Sequence, residues 1–368
     1  MELETYAIIR LSLCQNIGVT RFNNLIEAFG SAENVFSADV SDLTQVEGIN
    51  PLIAQNILNE SSKKFADCEI ALAARENARI LTFKDAAYPE QLRNIQDKPP
   101  IIYVKGKLLD SDFPSISVVG SRRTTVYGKS VASEFSNYFA KSGITIVSGL
   151  ARGIDTCAHM SALNNNSRTI AILGNGLLNY YPPENKKLQD EIAEKGALIS
   201  EFPLNSFSDR QTFPRRNRII AALSVATLVV EAGLASGAMI TARICADYGR
   251  DVFAVPGSIY SKYSQGTNDL IKNGAFVALT PQDVLSQIKE FAHLASPQTQ
   301  LKLEENANFT PEELKIYALL KNAPEGLSPD EISLKTKIPI SKISIILVNL
   351  EIALAVRSVP GQKYTIIR

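Results

Sequence analysis

The stretch Ile116-Ser117-Val118-Val119-Gly120-Ser121-Arg122-Arg123-Thr124-Thr125-Val126-Tyr127-Gly128 decides the fold. A short apolar run with little alternation leads into a glycine turn, and residues 126–141 then read as a helix. Strands that are nearly continuously apolar are buried on both faces, as in a parallel sheet covered by helices. The unit repeats outward along the chain. Further β-rich runs stand at Ile80–Phe83, Ile101–Val104, Ile144–Val147, Thr169–Leu173, Ala197–Ser200, Thr227–Val230, Val252–Val255 and Ala275–Leu279. Helix-like stretches at Ile154–Leu163, Glu184–Lys195, Arg218–Leu223 and Ser236–Tyr248 separate many of them. Residues 81–294 therefore read as a doubly wound, mostly parallel, Rossmann-like α/β domain with right-handed crossovers.

Ligands of such sheets bind outside the carboxyl ends of the strands. Those ends are unusual here. They read Gly120-Ser121-Arg122, Ser148-Gly149-Leu150-Ala151-Arg152-Gly153-Ile154-Asp155, Gly174-Asn175-Gly176, Glu231-Ala232-Gly233-Leu234-Ala235-Ser236-Gly237 and Pro256-Gly257-Ser258. Glycine lets backbone N–H groups approach an anion, and arginine adds a planar fork matched to phosphate oxygens. Neither a Walker A Lys-Ser/Thr pair nor a Gly-x-Gly-x-x-Gly is present, which argues against dinucleotide binding and triphosphate hydrolysis.

A second basic cluster, Phe213-Pro214-Arg215-Arg216-Asn217-Arg218, opens a stretch expected to be an amphipathic helix. Cations at a helix N-terminus oppose the macrodipole, so an anion is expected nearby. Phe213 offers a face on which a base can stack. Candidate catalysts are few. Asp155 reads as the cap of the helix beginning there, and His159 as a packing residue. Glu231 is the best acid, or else an acceptor for a neighbouring loop. No Ser/His/Asp or Cys/His arrangement stands at recognisable spacing, and no catalytic residue is assigned.

Two segments flank the α/β domain. Residues 1–80 read as short helices around two hairpins, Asn16-Ile17-Gly18-Val19 and Val46-Glu47-Gly48-Ile49-Asn50-Pro51, a helix-hairpin-helix or SAM-like arrangement. A structural bundle is the preferred reading, because the region carries 6 Lys/Arg against 11 Asp/Glu. Residues 295–309 read as a polar linker. Residues 310–368 show three helices and a hairpin, a winged helix, with capping-box starts at Thr310-Pro311-Glu312-Glu313 and Ser328-Pro329-Asp330-Glu331. Its third helix, 340–356, is mostly aliphatic with Lys342 as its cation, which suits protein docking better than duplex reading.

Composition bounds the rest. The 368 residues suggest two or three domains, and 45% hydrophobic with 21% charged residues is ordinary for a globular chain. The net charge of zero hides an asymmetry: residues 81–295 carry 23 Lys/Arg against 19 Asp/Glu. Four scattered cysteines and two histidines argue against a disulfide framework or a zinc site, so no metal and no cofactor are expected. Sparse thiols, an acidic start without a basic n-region, and no apolar run of membrane-spanning length point to a cytoplasmic protein off the membrane.

In order, these segments resemble the DNA-processing protein A (DprA/Smf) family. The matching motifs are Val119-Gly120-Ser121-Arg122, Ser148–Asp155, Leu173-Gly174-Asn175-Gly176-Leu177, Tyr181-Pro182 and Phe213-Pro214-Arg215-Arg216-Asn217-Arg218-Ile219-Ile220. Val230-Glu231-Ala232, Ser236-Gly237, Phe253-Ala254-Val255-Pro256-Gly257 and Gly266-Thr267-Asn268 complete the series. The resemblance implies a DNA-binding protein rather than an enzyme. It implies that single-stranded DNA taken up in natural transformation is protected and that RecA recombinase is loaded past single-strand-binding protein. It also implies a homodimer. By motif position the DNA pocket involves Ser121, Arg122, Arg152, Gly153, Gly174, Asn175, Phe213, Arg216 and Arg218, with Lys186 and Lys187 extending the basic rim. Arg215, Asn217 and Gly237 join the candidates from the cationic cluster and the fourth glycine loop. On this reading Arg122→Ala with Arg216→Ala abolishes binding and leaves folding intact.

Two other classes compete. A nucleotide-processing enzyme of the phosphoribohydrolase type shares a Rossmann-type core, although its Pro-Gly-Gly-x-Gly-Thr signature is absent. A transcription factor would use the winged helix on duplex DNA.

Overall fold

Nine apolar runs become nine strands of one sheet, whose central strands bury both faces under helices. The computed structural model describes residues 2–295, 309–321, 323, 326–352, 355–359 and 363–366. Two compact units divide the chain, Met1–Ala295 and Ser296–Arg368. The expected linker, 295–309, falls almost wholly outside the described residues, as does the turn at 360–362.

The sheet strands are β1 (Ala78–Thr82), β2 (Ile101–Gly106), β3 (Ser115–Val119), β4 (Thr145–Ser148), β5 (Thr169–Ile172), β6 (Ala197–Ser200), β7 (Ala226–Val229), β8 (Asp251–Ala254) and β9 (Phe276–Val277). Their spatial order is β1-β2-β6-β5-β4-β3-β7-β8-β9. The seven from β6 to β9 are parallel, while β1 and β2 add an antiparallel edge. Strands β3 to β7 are buried at every position. This is the doubly wound, mostly parallel architecture the apolar runs predict.

Helix Val126–Lys141 starts at Thr125, whose hydroxyl accepts from the Gly128 N–H, as an N-cap should. The helices that matter for the site are Ile154–Asn164, Thr212–Leu223 and Gly237–Asp247. The second of these differs from the expectation. It begins at Thr212, and Arg216 to Leu223 are all buried, so it is a core helix and not an amphipathic one. It packs against the Gly237–Asp247 helix on one face of the sheet.

The first six helices, from Leu3–Ser12 to Glu60–Arg75, share a hydrophobic core with this sheet. Ile8, Leu25 and Ile57 belong to the same cluster as Tyr103, Leu173 and Leu204. Buried Glu69 accepts from the Leu204 N–H at 3.1 Å. The two N-terminal hairpins are pinned together by Arg21, which donates to the Gly48 carbonyl at 2.8 Å and the Asn16 carbonyl at 2.7 Å.

The second unit has helices Pro311–Lys321, Pro329–Thr336 and Ile340–Ile352, then the ribbon Val356–Val359 with Lys363–Ile366. Both capping boxes form, at Thr310 with Glu313 and at Ser328 with Glu331. Leu327 bridges to Tyr364 and extends the ribbon, which completes a winged helix. Lys342, the one cation of its third helix, donates to Glu312 at 2.7 Å.

Candidate functional site

From β3 the chain winds outward through β4, β5 and β6, then returns to place β7 on the other side of β3. The connections therefore diverge between β3 and β7, and a crevice opens at the carboxyl ends there. It is an open groove of about 1050 Å³. The turn after β3 contributes Gly120, Ser121, Arg122 and Arg123. The buried helix contributes Phe213, Arg216 and Asn217, and the segment after β7 contributes Gly233 to Gly237.

One residue at the end of β7 holds the groove together. The Glu231 carbonyl accepts from the Ser121 N–H at 2.7 Å. Its carboxylate accepts from the Thr124 hydroxyl at 2.7 Å, the Thr125 N–H at 3.0 Å and the Thr125 hydroxyl at 2.5 Å. The next residue, Ala232, donates to the Tyr263 carbonyl at 2.8 Å and accepts from the Gly266 N–H at 2.7 Å. Of the two roles open to Glu231 in the sequence, the structure shows the acceptor for a neighbouring loop.

Beneath the groove lies a buried polar cluster. Asp155 accepts from the Gly149 and Ala151 N–H groups, at 3.1 and 3.4 Å. This corrects the expected role, because Asp155 braces the loop preceding its helix instead of capping the helix itself. The Arg216 guanidinium packs against Gly149, where a Cβ would collide with it, and donates to the Ile172 carbonyl at 2.6 Å. Its Nε has no partner and is buried. Burial pushes Arg216 down to about 10, against the pull of the Asp155 carboxylate. Burial raises Asp155, and Arg216 and the two N–H groups oppose that rise. Removing Arg216 would leave the Ile172 carbonyl without this donor and the buried Asp155 without its nearby cation, a cost to the fold that stands beside any loss of binding. The expectation that its loss leaves folding intact therefore needs a stability measurement beside the binding one.

Aromatic and cationic groups interleave at one end. The Arg122 guanidinium lies 4.7 Å from the centre of the Phe213 ring, within cation–π range. The Tyr181 ring stands 5.5 Å from Phe213 at a 40° tilt. Gly174 closes the edge of Phe213, and a Cβ there would stand 2.9 Å from its ring. Arg152 forms an ion pair with Glu184 and also interacts with Tyr181. Lys186 sits 4.8 Å from the Tyr180 ring centre.

The candidates thus divide. Ser121, Arg122, Phe213, Arg216, Asn217 and Gly237 line the groove together. The Asn217 amide donates to the Gly237 carbonyl at 3.2 Å, tying two of them. Arg152, Lys186 and Lys187 are exposed outside the lining, and Arg215 turns toward the Phe202 ring. Four others serve the scaffold. Gly153 has φ +82° and packs against the Ser121 carbonyl, where a side chain would not fit. Gly174 seats Phe213. The Asn175 amide donates to the Gly176 and Asn179 carbonyls. Arg218 is buried, donates to the Asp97 carbonyl and pairs with Glu201.

Among the lining residues that escaped the sequence reading are Arg123, Arg210, Lys262 and Tyr263. Arg123 stands in the quoted turn and could have been taken with Arg122. The others lie in irregular segments before a helix, where nothing in the pattern sets side-chain direction. The lining cations are Arg122, Arg123, Arg210, Arg216 and Lys262, and the acids are Asp155 and Asp209. Asp209 is occupied by the N–H groups of Gln211 and Thr212. The groove therefore favours an anion. Among the described residues no cluster of His, Cys, Asp and Glu could hold a metal, and no helix is long and apolar enough to cross a membrane.

Fold and site define a doubly wound α/β protein with an anion-attracting groove at its switch point. The family model of DNA recombination-mediator protein A matches residues 79–289, and that of the DprA winged helix domain matches residues 296–362. The chain belongs to the DNA recombination-mediator protein A (DprA/Smf) family. Protein Smf of Synechocystis is 34% identical over 385 residues, covering 96% of each chain. DNA processing protein DprA of Streptococcus pneumoniae is 36% identical over 78% of this chain and 100% of its own. The crystal structure of that protein superposes with a TM-score of 0.70, covering 78% of this chain and 99% of its own, at 34% identity. A structure of DprA from Helicobacter pylori, described by its single-stranded DNA binding mode, has a TM-score of 0.51 at 31% identity, covering 56% of this chain and 94% of its own.

Proposed function

We propose that this chain binds single-stranded DNA in the switch-point groove without sequence preference. On this reading it protects incoming DNA in natural transformation and loads RecA recombinase past single-strand-binding protein, acting as a cytoplasmic homodimer. The observation that carries the reading is the meeting of Arg122, Arg216 and Phe213 in one groove. Guanidinium forks and backbone N–H groups suit phosphates, and an aromatic face suits a base. Phosphate contacts bring affinity without sequence information. Arg152, Lys186, Lys187 and Arg215 extend the cationic rim. Gly153, Gly174, Asn175 and Arg218 hold the groove's shape.

Membership in a family of DNA recombination mediators supports this reading over the enzymatic one. So does Glu231, the acid a phosphoribohydrolase would need, because both of its carboxylate oxygens are taken by Thr124 and Thr125.

The test is oligo-dT binding to the full chain, titrated against salt. Affinity falls along a log–log line with a slope of about −0.7 per phosphate neutralised. A slope near zero, or no preference for the single strand over a duplex of equal length, overturns the proposal. For the partner steps, the protein should speed RecA filament formation on DNA covered by single-strand-binding protein. No acceleration refutes that part alone.

A further inference from the structure

The two flanks of the groove differ in chemistry. Strand order sets the turns after β3 and β4 to one side and the segments after β7 and β8 to the other. The first side brings Arg122 and Arg123. The second brings Leu234, Ile240 and Tyr263, with Lys262 as its one lining cation. Leu234 is 56% exposed and Ile240 37%, and Tyr260 in the same segment is 92% exposed. Single exposed apolar side chains need no explanation. Several on one flank of a cationic groove mark a surface that meets something.

A single DNA strand is polarised in the same way, with phosphates along one edge and flat bases along the other. We propose that Leu234, Ile240 and Tyr263 form a base-facing wall, against which the bases of the strand pack while its phosphates follow the arginine flank. This rests on the reading that the groove binds single-stranded DNA, and it adds the strand's orientation and the origin of single-strand selectivity. A duplex keeps its bases stacked inward and has nothing to offer this wall. The two ends of the site are built alike: Lys262 lies 5.4 Å from the Tyr263 ring centre, as Arg122 lies over Phe213. Each aromatic face therefore has a cation within reach of the phosphate next to the base it would stack.

The wall supplies apolar contact and few charges, so its removal must act on bases and not on phosphates. The experiment compares oligo-dT with an abasic deoxyribose-phosphate strand of equal length, each titrated against salt by fluorescence anisotropy with the full chain. Tyr263→Ala and Leu234→Ser each weaken oligo-dT binding about fivefold or more. Both leave abasic-strand affinity and the salt slope at wild-type values, and Tyr263→Phe keeps oligo-dT binding. Thermal melts confirm that both variants are folded, and Leu234, more than half exposed, is the safer of the two. Wild-type oligo-dT affinity in both variants overturns the wall, as does an equal loss on both strands. If the wild-type chain binds neither strand, the groove reading falls, and the wall with it.

Discussion

Arg122 covers the face of Phe213, with its guanidinium 4.7 Å from the ring centre. Two residues 91 positions apart in the chain thus form one cation–aromatic pair, which on the proposed reading sets a fork for phosphate beside a platform for a base. Arg122 is exposed, whereas Arg216 is buried in the polar cluster beneath the groove. Arg122→Ala should therefore leave the melting temperature within error and make the salt slope of oligo-dT binding shallower by about 0.7. Arg122→Lys should keep most of the slope and lose part of the affinity, since an ammonium is not a planar fork. A full wild-type slope in Arg122→Ala removes this residue from the phosphate path.

Glu231 decides the geometry of the turn that carries Arg122. Replacing it with leucine leaves the Thr125 N–H and two hydroxyls without their acceptor, at a cost of roughly 1–3 kcal/mol. Glu231→Gln retains one carbonyl oxygen for the Thr125 N–H and should be milder. Denaturant melts should rank wild type above Gln above Leu, with DNA affinity in the same order. Equal stability in Leu and wild type refutes the bracing role.

Arg218 looks like a ligand arginine in the sequence and is a structural one. Its side chain is 8% exposed and pairs with Glu201, itself 4% exposed. Arg218→Ala leaves that buried carboxylate to the half-exposed Arg215, 3.7 Å away, and should cost up to roughly 3–5 kcal/mol. Arg215, 54% exposed and three residues away along the same helix, should cost little stability when changed to alanine. Chemical denaturation of the pair separates them, and similar midpoints would contradict the assignment.

His159 predicts a pH dependence. It is buried, its Nδ1 is 2.7 Å from the Thr169 hydroxyl, and burial pushes it down to about 3, with Arg216 adding to the effect. The folded value lies below the 6.5 of the free side chain, so between the two the unfolded chain binds the extra proton. The stabilisation is complete above about pH 6.5 and is lost as pH falls toward about 3, by up to ~1.4 kcal/mol per pH unit. Thermal melts from pH 7 to pH 4 should show a steeper decline in wild type than in His159→Asn. Parallel declines count against the buried neutral imidazole.

Much of this protein could be read directly. Each of the nine sheet strands overlaps an apolar run, and the record is most continuous in β3 to β7, which are buried on both faces. The Val126–Lys141 helix has the expected limits, and the Thr310 and Ser328 boxes act locally, within four residues. The glycine loops also stand at the carboxyl ends of their strands.

The arginine cluster at 215–218 shows what could not be read. Along a helix each residue turns by about 100°, so neighbouring arginines face different surroundings. Arg215 and Arg218, nearly one turn apart, both reach Glu201, the first half-exposed beside Phe202 and the second buried, while Arg216 between them enters the groove beside Asp155. The sequence supplied three equal charges, and only the path of the buried helix across the sheet sorted them. The same holds for Lys262 and Tyr263, whose direction is set by backbone bonds from Ala232 to Tyr263 and not by any periodicity. Local pattern determined the strands, the turns and the kinds of group at their ends. Tertiary packing decided which of those groups share a groove, because that depends on strand order and burial depth, contacts between residues a hundred or more positions apart.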